Sequence, residues 1–361
     1  MAKLHVDLPQ HGYDIFIGVS LAEALTPFLA AAGYSKALIV SDTNVGKLYM
    51  STLQDILAAV GLPAEQVRVP AGETAKSLAE AEKIYTRAIE AGLDRRSAIF
   101  ALGGGVVGDL AGFIAATYMR GVSFLQVPTS LLAQVDSSVG GKVGINHPLG
   151  KNLIGAFYQP EGVFMDLTFL DSLPRRELCT GLGEIVKYGV IYDEALFCYL
   201  EEQADHVLRR DRTALKHVVR RSCEIKAAVV SQDEKEAGLR RILNFGHTLG
   251  HAIEKETGYT RYNHGEAVAI GMMGAAFISA ALGLVGEETI KRLAALLTRL
   301  SLPLMAEGCE ADKIYAAIFH DKKTVGGRVT WIVMEGIGRV TALSDVPEAV
   351  VKDAIRRIVR T

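Results

Sequence analysis

Ala98-Ile99-Phe100-Ala101-Leu102-Gly103-Gly104-Gly105-Val106-Val107-Gly108-Asp109 carries an unbroken apolar run into a cluster of glycines and on into a helical pattern. A short, wholly apolar run ended by glycine reads as a strand buried on both faces, the kind that parallel sheets use. Glycine lets the backbone approach a pyrophosphate, and the helix behind it offers unpaired N–H groups and a favourable dipole. The same glycines would equally suit a tight structural turn. The run is not the Gly-x-Gly-x-x-Gly fingerprint at the first strand, because two strand-loop units precede it.

Those units repeat the pattern. Ala37-Leu38-Ile39-Val40 runs into Ser41-Asp42-Thr43-Asn44 and a helical stretch over 45–60. Val67-Arg68-Val69-Pro70 runs into Ala71-Gly72-Glu73-Thr74 and a helix over about 77–91, and Phe124-Leu125-Gln126-Val127 enters Pro128-Thr129-Ser130. Strand, polar loop and helix in alternation predict a parallel sheet covered by helices. Beyond Leu173-Pro174, helical periodicity dominates over 175–300 and a β-like run returns only near 329–333. With 361 residues, the chain exceeds a usual single core. The expectation is an α/β N-terminal nucleotide-binding domain with a parallel sheet (1–173) plus a mainly α-helical C-terminal metal-binding domain (174–361). Asp42, Asn44, Glu73, Lys76, Thr129 and Ser130 fall at strand ends, where open α/β sheets place ligands, although each could instead cap a helix.

A composition 49% hydrophobic and 22% charged suits a compact fold, and a net charge of -2 gives no global electrostatic reason to bind nucleic acid. Cys179, Cys198, Cys223 and Cys309 show no Cys-x-x-Cys spacing and read as buried thiols of a reducing compartment. The N-terminal residues lack the apolar stretch of a signal peptide, which favours the cytoplasm. Residues 267–286 carry no charge and are long enough to span a bilayer, but their alanine and glycine content, and their entry from His264-Gly265-Glu266, predict a buried helix and no membrane partner.

Asn244-Phe245-Gly246-His247-Thr248-Leu249-Gly250-His251 places two histidines four residues apart, on one helix face, with His264 nearby. Neutral imidazole suits zinc or iron. Gly183-Glu184-Ile185-Val186-Lys187 adds a carboxylate, and a histidine site that borrows one carboxylate keeps positions open for a substrate. Spacing alone leaves open which of Glu184, His247, His251 and His264 are ligands. Lys142 and Lys151, set among glycines, are suited to an anionic group.

In this order the motifs resemble the 3-dehydroquinate synthases of the sugar phosphate cyclase family: Gly72-Glu73-x-x-Lys76, the glycine run above, residues 128–142, Gly150-Lys151-Asn152, Gly183-Glu184-x-x-Lys187, residues 244–251 and His264-Gly265-Glu266. The resemblance covers nearly the whole chain. It implies conversion of 3-deoxy-D-arabino-heptulosonate 7-phosphate to 3-dehydroquinate and phosphate, a lyase step of aromatic amino acid biosynthesis. The implied course is transient oxidation by NAD, phosphate elimination, re-reduction, ring opening and intramolecular aldol closure. It further implies one zinc, or cobalt in its place, on Glu184, His247 and His264, with His251 on the substrate side. NAD contacts are implied for Asp42, Asn44, Glu73, Lys76, Gly104, Gly105, Val106, Asp109, Thr129, Ser130, Lys142, Lys151, Phe169, Leu170, Asp171 and Ser172. Substrate contacts are implied for Arg120, Asp136, Lys142, Lys151, Asn152, Lys187, Lys226, Arg240, Asn244, His251 and Lys322. Arg120 is expected to reach a neighbouring subunit of a homodimer. Ser130 and Ser172 stand where the family often has threonine and keep the hydroxyl, while Ala71 removes a polar side chain from the nucleotide loop. The nearest rival is an iron- or glycerol-type NAD-dependent alcohol dehydrogenase, which shares the plan but needs fewer cations; another sugar phosphate cyclase is the other alternative.

Overall fold

The computed structural model describes residues 1–9, 11–236, 238–318 and 329–360. They form two compact units, Met1–Leu173 with Lys226–Glu234, and Pro174–Ile225 with Lys235–Thr361.

The strands of the first unit are β1 (Ala2–Val6), β2 (Tyr13–Gly18), β3 (Ala37–Asp42), β4 (Ala64–Val69), β5 (Ala98–Gly103), β6 (Ser123–Pro128), β7 (Lys142–His147), β8 (Gly150–Phe157) and β9 (Gly162–Asp166), with helices α1 (Leu21–Ala32), α2 (Val45–Ala59), α3 (Leu78–Glu90) and α4 (Gly105–Thr117). Seven strands make one sheet in the order β1-β2-β9-β6-β5-β3-β4. Every residue of β5 is buried, which is why its sequence shows no alternation. Pairing is parallel from β2 to β4, and the edge strand β1 runs antiparallel to β2. The chain steps outward from β3 to β4 and then to the other side of β3 with β5. The topological switch therefore lies between β3 and β5, at whose carboxyl ends stand Asp42 and the glycine run.

One segment differs from its sequence reading. Residues 142–157, to which the sequence reading assigns no strand, form an antiparallel ribbon of β7 and β8. Glycine hides the β-pattern there because the backbones approach too closely for a side chain: a Cβ on Gly155 would stand 2.3 Å from the carbonyl oxygen of Val143.

The second unit holds α5 (Arg175–Ile191), α6 (Glu194–Leu208), α7 (Arg212–Gln232, its residues from Lys226 onward belonging with the first unit), α8 (His247–Glu256), α9 (His264–Ala281), α10 (Glu287–Arg299), α11 (Ala311–Ile318) and α12 (Glu348–Arg357). Its β-structure is β10 (Ala306–Glu307) beside β13 (Val359–Arg360), and the hairpin β11 (Trp331–Gly336) to β12 (Arg339–Leu343). The apolar α9 is long enough to cross a membrane, yet 72% of it is buried within the protein, as a core helix requires. A single boundary after residue 173 does not anticipate the return of Lys226–Glu234. That return is held by Lys226 Nζ, which donates to the carbonyl and the carboxylate of Asp136 at 2.7 Å each, and by Gln159 Nε2, which donates to Glu234 at 2.8 Å. No disulfide joins the four cysteines; Cys198 is partly exposed beside Arg292, contrary to its reading as buried, and the others are buried.

Candidate active site

Glycine contacts bring the metal-type side chains together in the second unit. On α5, a Cβ at Gly183 would stand 2.8 Å from the carbonyl oxygen of Gly265, and a Cβ at Gly265 would stand 2.0 Å from that of Thr180. Helix α8 meets α9 as closely, since a Cβ at Gly271 would lie 1.9 Å from the carbonyl oxygen of Gly246. Three helices in backbone contact carry Glu184, His247 and His264 beside those glycines. His264 opens α9 within a capping box between Asn263 and Glu266, and Arg176 grips Glu266 through two hydrogen bonds of 2.7 Å.

Glu184 Oε1 stands 3.5 Å from His247 Nε2 and 3.5 Å from His264 Nε2. A tetrahedral ion bonded at about 2.1 Å would hold its ligand atoms about 3.4 Å apart, so the spacing fits one small ion with room for a substrate oxygen. The second carboxylate oxygen pairs with Lys187, and both residues are almost wholly buried. Burial pushes the His247 imidazole well below its ordinary pKa, keeping it neutral as a ligand must be, and its Nδ1 lies 3.0 Å from the carbonyl oxygen of Phe245. Burial also lowers His264, but the carboxylates of Glu184 and Glu254, 3.5 and 3.6 Å from its two ring nitrogens, outweigh it and hold the ring up to about 10. His251 lies with its ring 5.5 Å from that of His247 and 6.0 Å from that of His264. It also belongs to a second, overlapping donor group with Glu254 and His264.

Buried cations are the other feature of this unit. Lys187 is 1% exposed and Arg240 2% exposed. Lysine and arginine are almost never so buried without anionic company, which Glu184 supplies to Lys187. Asn244 Nδ2 donates to Glu236 at 2.6 Å. Lys322 lies outside the described residues.

In the first unit the strand-end residues form a connected group. Lys76, 4% exposed, donates to Asp109 at 2.7 Å and also to Asn152, while its own carbonyl accepts from the Asn146 amide at 2.8 Å. Asn146 Nδ2 donates to Glu73 at 2.9 Å, and Asn152, in left-handed backbone at φ 52°, donates its amide to Asn146 at 2.9 Å. Burial raises the Asp109 carboxyl, an effect that Lys76 opposes. Gly104 caps α4 without a side chain, leaving its N-terminal amides for an anion, and a Cβ at Gly105 would approach Ser137 Oγ to 2.9 Å. Val106 follows in the first turn of the same helix.

Asp42 performs the capping role foreseen as its alternative, accepting from the amides of Asn44 and Val45 at 2.7 and 2.9 Å. Ser130 Oγ accepts from the Ala133 amide at 3.2 Å, and Thr129 is buried at the end of β6. Phe169 and Leu170 are core side chains, so any ligand meets them through backbone, whereas Asp171 is exposed and Ser172 bonds Tyr49 at 2.6 Å. Asp136 lies in a π-helical turn, Ala133–Ser137, a geometry that recurs at functional sites. Lys142 is exposed at the head of β7, Lys151 half-buried at the head of β8, and Arg120 exposed in left-handed backbone at φ 69°.

Sequence reasoning missed Glu236, Glu254, Arg176 and the structural role of Glu266. Two signals were present: Glu254 follows His247 by seven residues, two helical turns, and Asn263-x-x-Glu266 has capping-box spacing.

Comparison with known proteins places this geometry. Residues 66–180 match the family 3-dehydroquinate synthase N-terminal, and residues 181–324 match 3-dehydroquinate synthase C-terminal. The 3-dehydroquinate synthase of Acidithiobacillus ferrooxidans is 48% identical over 356 residues, covering 99% of this chain and 98% of the relative. That of Desulforamulus reducens is 46% identical over 351 residues, with 97% and 98% covered. Among solved structures, a 2-deoxy-scyllo-inosose synthase complexed with carbaglucose-6-phosphate, NAD+ and Co2+ superposes with a TM-score of 0.90 at 27% identity, covering 99% of this chain and 100% of the other. The 2-epi-5-epi-valiolone synthase of Streptomyces hygroscopicus, with NAD+ and Zn2+ bound, gives 0.89 at 29% identity, with 98% of each covered. An iron-containing alcohol dehydrogenase, at 16% identity and a TM-score of 0.68, covering 96% of this chain and 97% of its own, shares the fold. The chain belongs to the 3-dehydroquinate synthase family.

Proposed function

We propose that this chain converts 3-deoxy-D-arabino-heptulosonate 7-phosphate to 3-dehydroquinate and phosphate, using NAD and one zinc or cobalt ion. The observation that carries the reading is the convergence of Glu184, His247 and His264 at ligand spacing, in a chain 48% identical over its length to a 3-dehydroquinate synthase. Bound, the nicotinamide takes up and returns a hydride while the metal ion polarises the reacting oxygen as a Lewis acid.

The chain's own residues bind and orient. Glu184, His247 and His264 would hold the ion, with Lys187 compensating the buried carboxylate charge that the ion does not. The Gly104–Val106 amides at the start of α4 would meet the pyrophosphate, with Glu73, Lys76 and Asp109 beside them. Lys142, Lys151, Asn152 and Lys226 in the first unit, and Arg240, Asn244 and His251 in the second, are cations and donors of the kind that a substrate with two anionic ends needs. A dehydrogenase performing net hydride transfer has no need of so many.

We further place the protein in the cytoplasm as a homodimer. Support for the dimer comes from the β7–β8 ribbon, where Leu149 is 87% exposed and Leu153 and Phe157 share an exposed face, and from the exposed, left-handed Met119 and Arg120.

The deciding experiment incubates the purified enzyme with the heptulosonate phosphate, zinc and trace NAD. Phosphate release without accumulation of NADH is the expected result, and stoichiometric NADH from an alcohol would sink the reading. Lys151→Ala should raise the KM for the phosphorylated substrate about 10- to 100-fold, the worth of one charge-assisted hydrogen bond, and weaken NAD, which it is also expected to contact, far less. Equal losses for both ligands would argue against Lys151 as chiefly a contact of the substrate phosphate.

A further inference from the structure

We propose that Glu254 is a positioning residue for His264: its carboxylate holds the ring's Nδ1–H and thereby presents Nε2 as the metal-binding lone pair. This rests on the reading of Glu184, His247 and His264 as ligands. The two rings point the same way, each with Nε2 3.5 Å from Glu184 Oε1. Behind His247, Nδ1 faces a backbone carbonyl, which fixes the tautomer. Behind His264, Nδ1 faces Glu254 Oε2 at 3.6 Å, from a carboxylate only 8% exposed on α8.

The geometry matches the arrangement in which a carboxylate orients a metal-bound imidazole and raises its basicity. Seven residues separate Glu254 from His247, so one face of α8 supplies both a ligand and the residue that sets the other ligand's ring. An ion held instead by His251, Glu254 and His264, bridging Glu254 Oε2 to the His264 Nδ1 that faces it, would need the lone pair of His264 on Nδ1. A neutral imidazole has one such lone pair, so the two arrangements exclude each other.

The test titrates Co2+ against a competing chelator in the full-length protein, with far-UV circular dichroism as the folding check. Wild type binding no Co2+ would refute the ligand reading itself, and Glu254 with it. Given wild-type binding of one ion, Glu254→Ala should weaken affinity about 10- to 100-fold. Glu254→Gln, which keeps an acceptor oxygen, should lose less. Unchanged affinity in Glu254→Ala, or equal losses in the two variants, overturns the proposal. Should Glu254→Ala misfold, nitrogen NMR of the zinc-loaded wild type answers the same question: a His264 bonded through Nε2 with Nδ1–H retained supports the assignment, and bonding through Nδ1 overturns it.

Discussion

His264→Ala is expected to lose bound metal and to lower turnover by about a thousandfold or more, since a Lewis-acid ion supplies several kcal/mol of transition-state stabilisation and each 1.36 kcal/mol is a factor of ten. The fold should survive. His264 is the first residue of α9, where the helix is held by the capping box of Asn263 and Glu266 and by the Arg176 clamp, none of which uses the imidazole. Alanine at that position is a good helix former. Metal analysis of the purified variant beside circular dichroism checks the result, and full occupancy would remove His264 from the ligand set.

Gly265→Ala should cost stability and metal binding together. In an ordinary helix interior this exchange stabilises by about 0.5–1 kcal/mol. Here the new methyl would stand 2.0 Å from the carbonyl oxygen and 2.7 Å from the carbonyl carbon of Thr180, so α5 and α9 must part by more than about 1 Å. The neighbour is backbone and cannot turn aside. We expect a loss of about 3 kcal/mol, a fall in Tm of roughly 6–12 °C, and weaker metal binding, because Glu184 and His264 ride on the separated helices. Gly274→Ala on the same helix is the control. Its Cβ meets the side-chain ends of Leu249 and Ile358, which can rotate, so the loss should be much smaller. A Gly265→Ala protein as stable as wild type in thermal unfolding would show that the contact is not tight.

The α/β half was legible because buried parallel strands leave apolar runs and their carboxyl ends leave glycine and polar residues, as in 98–109. The β7–β8 ribbon was not, since close backbone approach replaces the alternating side chains on which strand reading depends. Asp42 illustrates a local ambiguity: an aspartate at a strand end can cap a helix or meet a ribose, and its hydrogen bonds to Asn44 and Val45 assign the first role without removing the second.

By itself the sequence determined which chemistry is available: histidines and a carboxylate of metal-binding type, lysines among glycines, and strand-end loops suited to a nucleotide. Tertiary structure decided which groups meet. His247 and His251 are neighbours on one helix, yet the pair that converges with Glu184 at 3.5 Å is His247 and His264, from different helices. That outcome depends on backbone contacts at Gly183, Gly265 and Gly271, and a contact between distant carbonyls and absent side chains leaves no periodic trace in a chain. For the same reason Glu254 reads as an ordinary helical glutamate until α9 sets His264 against it.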